Sequence, residues 1–86
     1  MTVALMWEAR ALPGRGPDLL AWVRDQPLTP EPSRRETLRA AEDRVLVITW
    51  WPADGSGADA DFPELPEPGP DLVGRAVHRW RFETVD

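Results

Sequence analysis

The chain has 86 residues and a formal net charge of −5, from ten basic and fifteen acidic side chains. This length suits a single domain over residues 1–86, and the acidic surplus argues against nucleic acid or an anionic membrane as a partner. Cysteine is absent, which excludes disulfides and thiolate zinc sites. No apolar run approaches the roughly 20 residues of a membrane span, and no secretory leader follows Met1, so we expect a cytoplasmic protein.

The first part of the chain predicts a strand followed by a helix. Residues 3–11 alternate between two faces, with Trp7 on one and Glu8 on the other. The breaker sequence LPGRGP then separates this strand from residues 17–26, PDLLAWVRDQ. Because this stretch begins with Pro and Asp and places its apolar residues, Trp22 among them, on one stripe, it predicts a short amphipathic helix.

A β-hairpin is predicted in the middle of the chain. Residues 33–40 have moderate strand potential, and the sequence AEDR at 41–44 is typical of a tight turn. The run VLVITWWP follows, which is the most apolar part of the chain and predicts a strand over 45–51. Since neighbouring side chains of a strand point to opposite faces, Trp50 and Trp51 cannot share one pocket.

The last part of the chain predicts a loop, a short helix and a strand. Residues 52–70 are rich in Pro, Gly and acidic side chains, which disfavours a long helix there. The sequence PDLVGRA at 70–76 suits one or two helical turns. Residues 76–85 alternate well and predict a fourth strand, with His78 and Trp80 on the same face.

The predicted order, β-α-β-β-(short α)-β, indicates an α+β protein. Two βαβ-like halves around a central hairpin are typical of the ferredoxin-like arrangement, a four-stranded antiparallel sheet with its helices on one face. The third strand is apolar on both sides, so the other face of the sheet also needs cover. A two-fold homodimer is the commonest way to supply it.

Three stretches, MWEARALPGRGPDLLAWV, AAEDRVLVITWWP and HRWRFETV, resemble the antibiotic-biosynthesis-monooxygenase-like (ABM) family. The resemblance covers residues 2–51 and 76–86 and consists of loose patterns, among them a third strand that ends in Trp, here Trp51. It implies the dimeric α/β-barrel form of the ferredoxin-like fold, assembled from two identical chains.

The chain departs from the ABM pattern in two ways. Family members place a full second helix after the third strand, where this chain has the Pro- and acid-rich loop 52–70. Their catalytic sets use Asn, with Trp, Tyr or His, but this chain has no Asn and no Tyr, and Ala9 stands where the family's Asn best matches. The catalytic residues of the family therefore cannot be transferred to this chain.

His78 is the chain's single histidine and the candidate catalytic residue, because its side chain ordinarily titrates near neutral pH. It would serve as a general base, or as an axial ligand to haem, which needs only one His. The alternative is a strand residue hydrogen-bonded to a neighbour or to solvent. With no cysteine and one histidine, we expect no metal site.

Three of the five tryptophans, Trp7, Trp22 and Trp80, are the candidate ligand-binding residues. If the first and last strands pair with Trp7 and Trp80 on one side, the three indoles would line an aromatic pocket. On the face opposite His78, Arg79 and Arg81 would form ion pairs with the first strand's Glu8 and Arg10 across the sheet or a dimer, or would simply form a solvated charged face. The alternative is that the tryptophans fill the core and a dimer interface, where Trp is enriched.

The sequence leaves three functions open. The first is a small homodimeric ABM-like protein that binds a hydrophobic or aromatic ligand and, if catalytic, works as a cofactor-free monooxygenase of secondary metabolism with His78 as base. The second is a non-catalytic accessory or interaction dimer of the same fold, which the missing Asn and Tyr favour. The third is a haem-binding protein. For the first two we expect no cofactor.

Overall fold

A computed structural model describes residues 1–52 and 61–85 as one four-stranded antiparallel sheet with one helix. The elements are β1 (Thr2–Arg10), α1 (Gly16–Arg24), β2 (Arg34–Ala40), β3 (Arg44–Pro52) and β4 (His78–Glu83). The strands lie in the order β2-β3-β1-β4. The predicted α+β class and the antiparallel four-stranded sheet are therefore confirmed. Of the predicted loop 52–70, residues 53–60 lie outside the described residues.

One face of the sheet forms the hydrophobic core because β1 and β3 alternate as their sequences predict. Every second residue of both strands is buried there, from Val3 to Ala9 and from Val45 to Trp51. Helix α1 lies on this face and buries Leu19. The proline near its start and Asp18 in its first turn both favour a helix that begins at this point of the chain.

Asp43, in the turn between β2 and β3, fastens the loop between β1 and α1. Its carboxylate accepts hydrogen bonds from the backbone N–H groups of Gly14 (3.0 Å) and Gly16 (3.3 Å), and its backbone carbonyl accepts one from Ala11 (2.9 Å). Asp43 itself has a φ of 59°, a left-handed conformation that Asp tolerates better than most residues. The turn residue thus sets where helix α1 begins.

Arg35 of β2 fastens the other end of α1. Its guanidinium donates hydrogen bonds to the backbone carbonyls of Val23 (2.8 Å) and Gln26 (2.7 Å). These carbonyls lie at the helix C-terminus, where intrahelical partners run out and a positive charge is favourable. The helix ends at Arg24, two residues before the end of the predicted span 17–26.

The predicted short helix at 70–76 is wrong. These residues form a turn in which the Gly69 carbonyl accepts from the N–H groups of Leu72 and Val73. Val73 then forms an isolated antiparallel bridge with Ala11, and the Leu72 carbonyl, which a longer helix would use, accepts instead from the Leu12 N–H at 2.8 Å. Residues 61–77 contribute four buried side chains to the core face beside α1, Leu65, Leu72, Val73 and Val77.

The last strand is shorter than predicted. It covers His78–Glu83 instead of 76–85 and pairs only with β1. No helix in residues 1–52 and 61–85 is long and apolar enough to cross a bilayer.

Candidate functional site

The face of the sheet opposite α1, called here the open face, carries the candidate site. Strand pairing places twelve of its side chains in three rows that cross all four strands in the order β2, β3, β1, β4. The rows are Arg34, Trp50, Ala4 and Phe82; Glu36, Ile48, Met6 and Trp80; and Leu38, Leu46, Glu8 and His78. Eight of these twelve side chains are apolar, and all eight are contiguous in the grid.

Much of this apolar surface is accessible. Leu38, Trp80 and Phe82 are 40%, 43% and 51% exposed, and the apolar residues between them are only half-buried. Exposed apolar side chains are common one at a time, whereas a contiguous patch with two large aromatic rings is a candidate interaction surface. The sequence predicted this second apolar face from β3, and β1 and β4 extend it.

One corner of the open face holds a cluster of Glu8, Arg75 and His78. Arg75 donates two hydrogen bonds from Nη2 to the Glu8 carboxylate, at 2.8 and 3.0 Å. Its Nη1 lies 3.3 Å from His78 Nε2, and His78 Nδ1 lies 4.0 Å from Glu8 Oε1. Because a guanidinium can only donate, His78 Nε2 must accept, which assigns the neutral ring's proton to Nδ1, facing Glu8.

This cluster gives His78 the partners of a structural histidine. His78 Nε2, at the outer edge of the ring, is the atom that would accept a substrate proton or bind haem iron. In this structure it contacts Arg75. The ring also packs edge-on against Trp80, with centroids 5.6 Å apart and planes at 88°. His78 thus has polar neighbours on both ring nitrogens, its side chain is half exposed, and its candidate catalytic role stays a prediction.

The corner diagonally opposite is also charged. Arg34 and Glu36, two residues apart on β2, form an ion pair at 2.8 Å. The Arg34 guanidinium also lies over the Trp50 ring, 5.0 Å from its centroid, a cation–π arrangement. Both charged corners therefore combine one acidic side chain with one arginine next to a tryptophan or a histidine.

The predicted pocket of three tryptophans does not form. Trp7 and Trp22 stack in the core with centroids 6.3 Å apart, and Trp7 is 4% exposed. Trp80, however, pairs with Met6 and lies on the open face, whereas Trp7 pairs with Arg79. The expectation that Trp7 and Trp80 share a face is therefore wrong. The register differs by one residue from the expected one, and a shift of one residue places Trp80 on the opposite face of the sheet.

The same shift redistributes the charges. Glu8 shares a face with His78 and pairs with Arg75, while Arg79 lies on the core side and contacts Glu64 at 3.8 Å. Within the sheet, Glu8 therefore does not share a face with Arg79 and Arg81, and the alternative of ion pairs across a dimer stays a prediction. Arg75 was missed because it precedes β4 in an irregular stretch, where no periodicity shows which way a side chain points.

No known family model, characterised protein or solved structure matches this chain. The ABM resemblance therefore stays a prediction.

The core face is closely packed around Trp7. The cavity next to it has a volume of about 10 Å³ and is lined by Trp7, Leu28, Thr49 and Leu65 among others. That is room for one water, far below the ~300 Å³ of a small-molecule pocket. The indole Nε1 of Trp7 is buried without a hydrogen-bond partner. Around Trp7, the described residues therefore leave no space for an aromatic ligand, whereas an open cleft of about 330 Å³ lies between the start of α1 and the β2–β3 turn.

The double tryptophan of β3 divides between the two faces, as the sequence predicted. Trp51 is buried in the core, stacks on Phe62 at 5.2 Å, and donates from Nε1 to the Thr49 hydroxyl at 2.9 Å. Trp50 lies half-buried on the open face under Arg34. Within residues 1–52 and 61–85, no group of three acidic or histidine side chains is placed to hold a metal ion.

Proposed function

We propose that this chain is an interaction module that works as a homodimer, in which the open face of one copy packs against the open face of another. The observation that carries the proposal is the contiguous apolar patch, with Leu38, Trp80 and Phe82 accessible in the single chain. Burying such a patch is the main driving force of protein association. Of the three functions left open by the sequence, this is the non-catalytic dimer.

A second copy is the favoured partner for two reasons. The strand order β2-β3-β1-β4 with a helix on one face is compatible with the ferredoxin-like arrangement, and the ABM resemblance implies a dimeric barrel of two such sheets. The three rows of the open face are also nearly neutral, because each of their charged corners contains its own ion pair, and Arg10 and Arg44 lie on the same face beyond them. A neutral apolar face meets an identical face without charge repulsion.

The size of the open face predicts a dimer of modest affinity. The three rows on four strands cover a planar area of roughly 400 Å² per copy, from the spacing between strands and between alternate residues along a strand. Since side chains make the accessible area larger than the plane, two copies approach the lower limit of about 1,200 Å² for specific interfaces. We therefore expect a dissociation constant in the micromolar range.

The test is the mass of the protein in solution as a function of concentration. Light scattering coupled to size exclusion should give a dimer at high micromolar concentration and a monomer after dilution. Trp80→Ser should shift this equilibrium strongly toward monomer. Val85→Ser is the matched control, because Val85 is 92% exposed but follows the end of β4. A monomer at every concentration would refute the proposal.

The second candidate function is the binding of a flat aromatic ligand at the His78 corner. One observation favours it: an exposed Trp80 ring stands beside His78, Glu8 and Arg75, so an apolar surface adjoins polar groups. If the protein were a cofactor-free monooxygenase, His78 Nε2 would take a phenolic proton after Arg75 moved away, with Glu8 orienting the ring.

Tryptophan fluorescence distinguishes this candidate from the dimer. Titration with a planar phenol such as 1-naphthol should quench Trp80 in the wild type and not in His78→Ala if the corner binds ligand. Equal quenching in both variants would reject a site at His78. Oxygen consumption with the same phenol tests for catalysis, and its absence would leave the interaction dimer as the function.

A further inference from the structure

We infer that the cleft between the start of α1 and the turn from β2 to β3 binds a small monocarboxylate with an apolar body, and that Arg39 holds its carboxylate. The cleft has a volume of about 330 Å³, which is within the range of small-molecule sites. It lies on the helix side of the sheet, away from the open face, so this inference does not depend on the homodimer.

One wall of the cleft is apolar. Pro17 and Leu20, three residues apart on α1, lie on the same side of the helix, and both line the cleft together with Val45 of β3. Leu20 is half-buried and packs against the core, to which Val45 belongs. A ligand with an apolar body therefore buries apolar surface here, which a fully polar ligand would not do.

Arg39 supplies the charge that is available in the cleft. It pairs with Val45 near the end of β2, which places it on the core-face side of the strand. Its exposed side chain lines the cleft, and in the part of the chain that the structure describes its guanidinium has no ion-pair or hydrogen-bond partner. Arg35, two residues earlier on the same side, differs because its guanidinium binds the carbonyls at the end of α1.

The other charged side chains of the cleft are engaged elsewhere. The Asp43 carboxylate accepts from two backbone N–H groups at the start of α1, and Glu42 pairs with Arg10 at 3.2 Å. Arg44 lies opposite Arg10 in the sheet, so its side chain belongs to the open face. An anion in the cleft would therefore be held by the Arg39 guanidinium, because Asp43 already occupies the N–H groups before the helix.

These groups together select the charge of the ligand. The planar fork of a guanidinium matches a carboxylate, to which it donates two parallel hydrogen bonds. A phosphate also fits the fork, but its additional negative charge would be repelled by the carboxylates of Glu42 and Asp43, which line the same cleft. A neutral ligand would gain nothing from the charge of Arg39. The expected ligand is a singly charged carboxylate with a short aliphatic or aromatic body.

Nuclear magnetic resonance with sodium hexanoate as the probe tests both the site and the class of ligand. The backbone amide signals of Gly16 and Leu20 and the Nε–H signal of Arg39 should shift and saturate at millimolar hexanoate. Two molecules with the same chain serve as comparisons, 1-hexanol without a charge and hexyl phosphate with more charge. Each should bind about tenfold more weakly than hexanoate.

Substitution of Arg39 tests its role in the same titration. Arg39→Gln removes the charged donor and should weaken hexanoate binding by about tenfold or more. Arg24→Gln is the matched control and should leave binding unchanged. Arg24 is also an exposed arginine with no side-chain partner among the described residues, but it lies at the other end of α1. Circular dichroism verifies that both variants keep the fold.

Four results would overturn the inference: equal hexanoate affinity in Arg39→Gln and the wild type, equal or tighter binding of either comparison molecule, shifts confined to the open face, or no shift at millimolar hexanoate. Trp80→Ser separates this site from the proposed homodimer. It should disrupt the dimer and leave hexanoate binding unchanged, whereas loss of hexanoate binding in Trp80→Ser would place the ligand on the open face and overturn the inference.

Discussion

Replacing Asp43 by alanine tests whether one turn side chain holds helix α1 on the sheet. The substitution removes the carboxylate that accepts from the N–H groups of Gly14 and Gly16, at 3.0 and 3.3 Å. It also leaves alanine at a φ of 59°, which a short polar side chain tolerates better than a methyl group does. We expect Asp43→Ala to lower the free energy of unfolding without changing the fold.

The magnitude follows from three contributions. The bond to Gly14 is exposed and contributes about 0.5 kcal/mol, whereas the partly buried bond to Gly16 contributes about 1 kcal/mol. The left-handed backbone adds up to about 1 kcal/mol, since alanine lacks the local hydrogen bonds that support Asp there. The sum is about 1.5–2.5 kcal/mol. Asp43→Asn keeps one acceptor oxygen and the backbone tolerance, so it should lose only about 1 kcal/mol.

Urea denaturation followed by circular dichroism measures both losses. Protein concentration must be the same for all variants, because dimerisation would add to the apparent stability. Glu31→Ala, at an exposed position in the loop after α1, is the control and should match the wild type. If Asp43→Ala were as stable as that control, the carboxylate would not be what fastens the loop.

Three further substitutions test contacts of the core face by the same denaturation assay. Gly16→Ala would place a methyl group 2.6 Å from the Asp43 carboxylate, so we expect a loss of about 1–3 kcal/mol that is smaller when combined with Asp43→Ala. Arg35→Lys removes the two-pronged bond to the end of α1 and should cost about 1 kcal/mol; an unchanged midpoint would contradict this. Thr49→Val removes the acceptor of the buried indole N–H of Trp51 and should lower the free energy of unfolding by about 1–3 kcal/mol. Thr49→Ser keeps the hydroxyl acceptor and should not lower it by this amount.

The sequence predicted the fold well where periodicity was strong. The alternation of β1 and β3 correctly grouped on one face the residues that are buried, without showing which face that is, and helix α1 was found within two residues at each end. The error at 70–76 has a physical reason: Pro and Asp favour a helix start, but after one turn the Leu72 carbonyl accepts from the Leu12 N–H, next to the bridge between Val73 and Ala11. Helix propensity read from neighbouring residues contains no information about a contact between residues 62 positions apart in the chain.

The candidate site was harder to predict because it depends on register between distant strands. Alternation within β1 and within β4 was correct, but the sequence carries no turn that fixes how the two strands align. Placing Trp7 opposite Arg79 instead of Trp80 changes which side chains share a face. That single step explains why the Glu8–Arg75–His78 cluster was missed and why the tryptophan pocket was expected.

The central position of β1 has a consequence for how the protein folds in time. One edge of β1 pairs with β3, but its other edge pairs with β4, and Thr2 hydrogen-bonds to Thr84 across a separation of 82 residues. Contacts this distant in sequence must wait for a slow search of chain conformations, which places refolding in the range of milliseconds to seconds. Until β4 pairs with it, β1, which is an inner strand of the finished sheet, is an edge strand that other chains can pair with.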